Sequence, residues 1–171
     1  MTTTTKNFAI NKDAANKKIT VIREFDAPVE SVWKAWTEKE LLDQWWAPKP
    51  YKTNTKSLDF REGGHWMYAM VGPDGEKSWV MVNFFKINAK KSFTAEDYFC
   101  NAKGERSNEF PGMFWNNVFT PTGSGTKVTV ELTFTSEDDL KKILELGFEP
   151  GFAAALGNLD ELLEKFNDQG V

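Results

Sequence analysis

The stretch 149–166, EPGFAAALGNLDELLEKF, decides how the chain must be arranged. At 100° per residue Phe148, Phe152, Ala155, Leu156, Leu159, Leu163 and Phe166 fall on one helical face, with Gly151 on its flank. Its second half is bulky, whereas its first half carries Gly151, Ala155 and Gly157 where a filled core calls for Leu or Ile. A long closing helix of this kind needs a broad apolar layer to lie on. Its small residues either leave volume for a ligand or admit large side chains from that layer.

Immediately upstream, SEDDLKKILELG (136–147) begins a shorter helix. Ser136 is placed to cap it, and acidic residues fill the first turn, where the helix dipole favours them. Gly147 and Pro150 predict a break between this helix and the last one.

The partner layer is readable further back. ITVIREFD (19–26) alternates and is rich in β-branched residues, a strand. In APVESVWKAWT (27–37) Val29, Val32, Trp33 and Trp36 recur at three and four, which defines one apolar helical face behind Pro28. Thr37 and Glu40 have capping-box spacing for a second short helix carrying Leu41, Leu42 and Trp45, which APKP stops. Turn signals at 62–64, 72–75, 88–91, 101–104 and 120–125 then separate strands near 52–60, 65–71, 77–87, 91–99, 112–120 and 126–135. The expected fold is therefore α+β: a curved, seven-stranded antiparallel sheet wrapped round a long C-terminal helix, with two short helices between strands 1 and 2.

The 171 residues suit one domain, expected over 19–167. Residues 1–18, a Thr tract followed by an Asn/Lys-rich stretch, read as a flexible N-terminal arm. The net charge of -4 and the absence of a basic cluster among the aromatics argue against nucleic acid. One cysteine, Cys100, forms no intrachain disulfide, and no apolar run is long enough for a signal peptide or membrane span, so a cytoplasmic chain is expected, without membrane contact. Aromatic residues reach 14%, with seven Trp and fourteen Phe, which suits a wide interior walled by flat side chains.

The element order, together with FDAPVESVWKAWT, LLDQWWAPKP, LDFREGG, VGPDG, GTKVTVELTF and LGFEPGFAAALGNLDELLEKF, resembles the Aha1-like (activator of Hsp90 ATPase homologue, AHSA1) family of the START/Bet v 1-like (SRPBCC) helix-grip superfamily. The resemblance covers about 19–166. It implies a hydrophobic pocket between sheet and last helix for a small apolar or aromatic molecule, lipid-like, polyketide-like or flavonoid-like. It also implies two alternatives. One is a partner-binding role toward an Hsp90-type chaperone, although about eighteen residues before the first strand are too few for the separate N-terminal domain of the co-chaperone. The other is a cavity-based cyclase or hydrolase. Trp45, Trp46 and Pro48 resemble the family's Trp-Trp-x-Pro element, expected as a lid over the sheet.

Residues proposed for the ligand pocket are Trp45, Trp46, Trp66, Met70, Trp79, Met81, Phe85, Phe99, Met113, Trp115, Phe152, Ala155 and Leu156: large or pliable apolar side chains of the sheet and of the tryptophan segment after the second short helix, with three residues of the stripped helix they face. Each is also a sound core residue. No catalytic, cofactor or metal residue is assigned, and a monomer is expected. Asp97, Glu96, His65 and the tyrosine hydroxyls are the only groups available for acid–base work. His65, the only histidine, reads as a rim or structural residue with no evident nucleophile. Asp97 acquires a raised pKa if it faces inward with Phe93 and Phe99; otherwise it is an outward carboxylate or pairs, for instance with Arg23. GSGTK (123–127) resembles the end of a phosphate loop but lacks its spacing and leads into a strand, so it reads as a hairpin turn.

Overall fold

Alternation along the strands and the two helical apolar faces converge on a single antiparallel sheet with helices on one side. The computed structural model describes residues 2–5 and 8–168. In chain order the elements are β1 (Thr2–Thr5), β2 (Phe8–Asp13), β3 (Lys18–Phe25), α1 (Val29–Thr37), α2 (Lys39–Trp45), β4 (Lys52–Leu58), β5 (His65–Val71), β6 (Lys77–Asn88), β7 (Ser92–Cys100), β8 (Met113–Pro121), β9 (Thr126–Thr133), α3 (Glu137–Glu145) and α4 (Phe148–Asp168). The sheet order is β1-β2-β3-β9-β8-β7-β6-β5-β4. Every expected strand and helix is present, and the arrangement is a helix grip.

Two strands were not expected. The sheet holds nine strands rather than seven, because much of the supposed arm pairs with the domain. Phe8 to Asp13 lies antiparallel to β3, with Ile10 opposite Val21, and Thr2 to Thr5 adds outside it. Phe8, Ile10 and Lys12 alternate onto one face; Ile10 is buried, and the Lys12 ammonium bonds to Glu149 of α4. A lysine in the apolar phase hid that alternation in the sequence. Met1, Lys6 and Asn7, also in the expected arm, lie outside the described residues.

The helix signals hold with one exception. Ser136 accepts from the Asp139 N–H at 3.1 Å, and Gly147, at φ 90°, separates α3 from α4. The expected capping box does not form: the N-cap of α2 is Glu38, and the Thr37 hydroxyl instead donates back to the Trp33 carbonyl at 2.8 Å. Thr37 is buried at the end of α1, so its hydroxyl takes the acceptor one turn back.

On the inner face Trp66 and Tyr68 of β5, Val82 and Phe84 of β6, and Phe93 and Ala95 of β7 continue into Trp115 and Phe119 of β8 and Val128 and Val130 of β9. Phe152, Ala155, Leu156, Leu159, Leu162 and Leu163 of α4 form the opposing stripe. At the β8–β9 turn, a Cβ on Gly125 would stand 2.0 Å from the Phe25 carbonyl oxygen, so only glycine lets the hairpin pass β3. The buried Thr126 hydroxyl beside it donates to Ala27 at 2.7 Å and fixes the start of α1 against β9.

Candidate functional site: an aromatic interior around Asp97

Trp46, the residue that ends α2, is the centre of the aromatic interior. Its ring lies 5.7 Å from Trp36, 5.2 Å from Trp45, 5.4 Å from Trp66, 5.8 Å from Trp115 and 6.1 Å from Phe152. Most of these pairs meet edge to face, the arrangement the ring quadrupoles favour. Each polar end except two finds a partner. Trp46 donates to the Tyr68 hydroxyl at 2.8 Å and Trp45 to the Ala35 carbonyl at 2.8 Å. Trp66 donates to Thr55, whose hydroxyl donates to Asp43 of α2 at 2.6 Å. Asn158 of α4 donates to the Ala47 carbonyl at 3.0 Å, which ties the tryptophan segment to the last helix.

The two exceptions, Trp36 and Trp115, meet at a small cavity. Its volume is about 30 Å³, and its wall includes Trp36, Trp46, Trp66, Asp97, Trp115 and Asn117. Room of this size takes one or two water-sized groups and no aromatic ring. The wide pocket expected from the stripped helix is thus largely filled. Phe152 reaches in from α4, 5.8 Å from Trp115 and 6.4 Å from Trp36. Ala155 is buried at 1% exposure and allows the helix to approach the sheet. Gly151 passes Pro48, whose Cγ is 3.9 Å from where its Cβ would be, and Gly157 has no heavy atom within 4 Å of that position. The three small residues therefore have three different surroundings.

The cavity wall is polar where the strands supply it. Three buried side-chain atoms there lack a protein hydrogen-bond partner: the indole nitrogens of Trp36 and Trp115, and Oδ1 of Asn117. Asp97 joins them, buried on β7. Burial pushes its carboxyl up to about 7, with the Glu96 charge adding to the rise; the Trp115 indole and the Met113 backbone N–H oppose it. The Trp115 N–H thus lies near the carboxylate without reaching good hydrogen-bond geometry. Burial, then the Asp97 charge, raises the Tyr68 hydroxyl well above its ordinary value, so it stays protonated as the Trp46 acceptor. The arrangement can accept a proton or hydrogen bond at Asp97 and donate two hydrogen bonds from indoles.

Of the residues proposed for a pocket, Trp45, Trp46, Trp66, Trp115, Phe152, Ala155 and Leu156 lie in the interior. Phe99 and Met113 are partly buried and pack against it, and Met70 stands opposite Thr53 on β4. Trp79, Met81 and Phe85 do not belong: they are on the outer face of β6, in the phase opposite to Val80, Val82 and Phe84. Trp79 lies between the Lys56 and Lys77 ammonium groups, 5.8 and 5.9 Å from its ring centroid, and Phe85 is 44% exposed. The 101–112 connection crosses this outer face, so a Cβ on Gly104 would meet Met81 Cε at 3.1 Å. His65 is also on the outer face, with Ser57 Oγ 2.9 Å from its Nε2, so it does have a hydroxyl neighbour. Arg23 pairs with Asp160 of α4 and not with Asp97.

Trp36 and Asn117 are site residues absent from the expected set, and Tyr68 was expected only as one of the tyrosine hydroxyls. Asn117 carried a signal: it sits in phase with Trp115 and Phe119 on an otherwise apolar strand face. Among the described residues no group of three His, Cys, Asp or Glu side chains is placed to hold a metal ion, and no helix is long and apolar enough to cross a membrane.

A helix-grip domain with a tryptophan-lidded interior is the class that this fold and site define. The chain belongs to the AHSA1 family: the description "Activator of Hsp90 ATPase homolog 1-like protein" matches residues 26–164. A solved protein from Arthrobacter aurescens is 29% identical, with 91% of each chain covered and a TM-score of 0.86. One from Mycobacterium smegmatis is 27% identical over 95% of this chain and 97% of its own, with a TM-score of 0.84. The AHSA1 protein of Silicibacter pomeroyi, 19% identical, covers 86% of this chain and 97% of its own at a TM-score of 0.70 and shares the fold. No curated protein matches the chain.

Proposed function

We propose that this protein binds a small aromatic molecule with a polar head group in the interior between the sheet and α4, the head group lying against Asp97. The observation that supports this reading is the cavity wall itself. Three residues with buried side-chain polar atoms that lack protein partners line one small cavity with a buried carboxyl, inside a shell of aromatic rings. Each such atom costs about 1 to 3 kcal/mol if left unsatisfied. A fold that needed only a packed core has cheaper ways to fill this place, as the apolar neighbours Phe93 and Ala95 illustrate.

The present cavity of about 30 Å³ admits the head group only. In this reading the ring of the ligand takes the place of Phe152, which stacks on Phe148 at 5.3 Å near the start of α4 and has to leave its present position on binding. Binding is therefore coupled to a rearrangement at the α4 N-terminus, and its cost subtracts from affinity. Native mass spectrometry of freshly purified protein, with titration by a fluorescent apolar probe, tests the reading. A retained small molecule, or saturable probe binding abolished by Phe152→Trp, is expected. No retained molecule and no saturable binding would overturn it.

A further inference from the structure

A second cleft opens on the outer face of the sheet, away from the tryptophan interior. Its volume is about 330 Å³, enough for a small molecule. The 106–112 segment, β7, β8 and α3 form it, with Glu96, Arg106, Glu109, Phe114, Asp139 and Lys142 on its wall.

Arg106 is held in place there although its side chain is 48% exposed. Its guanidinium lies 4.6 Å over the Tyr98 ring, whose hydroxyl accepts from the Asn83 amide at 3.1 Å. Nη1 reaches Glu96 at 3.4 Å, and Gly112 leaves room beside Nη2, since a Cβ there would stand 2.8 Å away. A guanidinium carries five N–H donors, so one long bond leaves most of them for a ligand. Because the group is already positioned, binding costs it little freedom.

The other charges of the wall are uncommitted. Among the described residues, none of Lys142, Asp139 and Glu109 forms an ion pair. Phe114, on the outer side of β8, leaves 43% of its surface exposed. A polyanion placed in the cleft meets Glu96, Glu109 and Asp139, and a polyamine meets Arg106 and Lys142. An uncharged apolar molecule has only Phe110, Pro111 and Phe114 to rest on. The matching charge set is one carboxylate for Arg106 and Lys142 and two cationic groups for Asp139 and Glu109. A guanidinium suits one of these cations, because it stacks on an aromatic ring while its N–H groups bind carboxylates in its plane.

We propose that this cleft binds a free basic amino acid of the arginine type. Its α-carboxylate goes to Arg106 and Lys142, its guanidinium lies on Phe114, and its cationic groups pair with Asp139 and Glu109. The ligand carries its charges on different atoms of one short chain, so the wall groups need only border the same cleft. The site is separate from the interior between the sheet and α4, and either can be occupied without the other.

The test is isothermal titration of the full chain at pH 7 and low ionic strength with L-arginine and three matched compounds. L-citrulline replaces the guanidinium by a neutral urea, agmatine lacks the carboxylate, and Nα-acetyl-L-arginine lacks the ammonium. L-arginine is expected to bind at least about threefold tighter than each, the scale of one exposed ion pair. Phe114→Ser and Asp139→Asn should each weaken L-arginine to a similar degree, and Arg106→Gln should erase its advantage over agmatine. Thermal unfolding checks that each variant folds. No saturable binding of L-arginine, or equal affinity for any of the three analogues, overturns the proposal. Displacement of an interior-bound apolar probe by L-arginine also overturns it, because the two sites are separate.

Discussion

The indole N–H of Trp46 donates to the Tyr68 hydroxyl at 2.8 Å, a bond that pins the end of α2 onto β5 beneath α4. Tyr68 is 3% exposed, and its ring stacks on Trp66 with centroids 4.2 Å apart. Tyr68→Phe keeps the stack but strands the indole donor, and should cost about 1 to 3 kcal/mol. Trp46→Ala removes five ring contacts as well and should cost about 3 to 5 kcal/mol. Denaturant unfolding of both variants, with the smaller loss expected for Tyr68→Phe, checks the assignment; wild-type stability in both would show that this hub does not hold the lid.

Ala155 is the second place to probe. It is buried at 1% exposure in a layer that Phe152 and the sheet tryptophans already fill. Ala155→Leu should therefore overpack the core and destabilise by about 1 to 3 kcal/mol. A gain in stability would mean that more space exists beneath α4 than the ring positions allow.

Glycines at two places predict opposite signs. Gly157 lies inside α4 with nothing within 4 Å of an added Cβ, so Gly157→Ala should stabilise by about 0.5 to 1 kcal/mol through helix propensity. Gly125→Ala drives its methyl onto the Phe25 carbonyl and should destabilise by more than that gain. Thermal shifts in the same direction for both would contradict this local geometry.

The Asp97 carboxyl gives a pH signature. Its usual value is 3.8, and burial pushes it to about 7 in the fold. Between those values the folded chain binds more protons than the unfolded chain, so this group lowers stability as pH rises through the window and then levels off. Asp97→Asn removes the effect. The variant should gain on the wild type by up to about 4 kcal/mol between pH 4 and pH 8, read from unfolding curves at several pH values. Parallel curves across that range would place Asp97 in solvent.

Much of this fold was legible in the sequence because its strands alternate cleanly and its turns carry Gly, Asn and Pro. Ile19 to Phe25 and Val128 to Leu132 needed only the period of two. The N-terminal hairpin was not legible, since Lys12 occupies a phase that Ile10 made apolar and depends on Glu149, far along the chain. The site was half legible. Alternation separates Trp79, Met81 and Phe85 from Val80, Val82 and Phe84, but both sets are large and apolar, so nothing local says which faces α4. The deciding contact, the 101–112 connection over Met81, is a tertiary one. Likewise the small residues of α4 signalled space without showing that Phe152, on the same helix, occupies it.

The pairing of β3 with β9 sets the order in which the protein can be completed. Lys18 lies opposite Thr133, so β3 waits for more than a hundred further residues before its β9 neighbour exists. During synthesis β3 and the tryptophans of α1 and α2 emerge well before α4, which covers them. Ring closure over so long a separation is slow, and a nascent chain exposes its aromatic interior for most of its translation. The interval between emergence and closure is thus the period in which this chain is most open to aggregation and to capture by chaperones. Truncations ending before β9, examined on stalled ribosomes, should remain protease-sensitive throughout, with protection appearing only once α4 has cleared the exit tunnel.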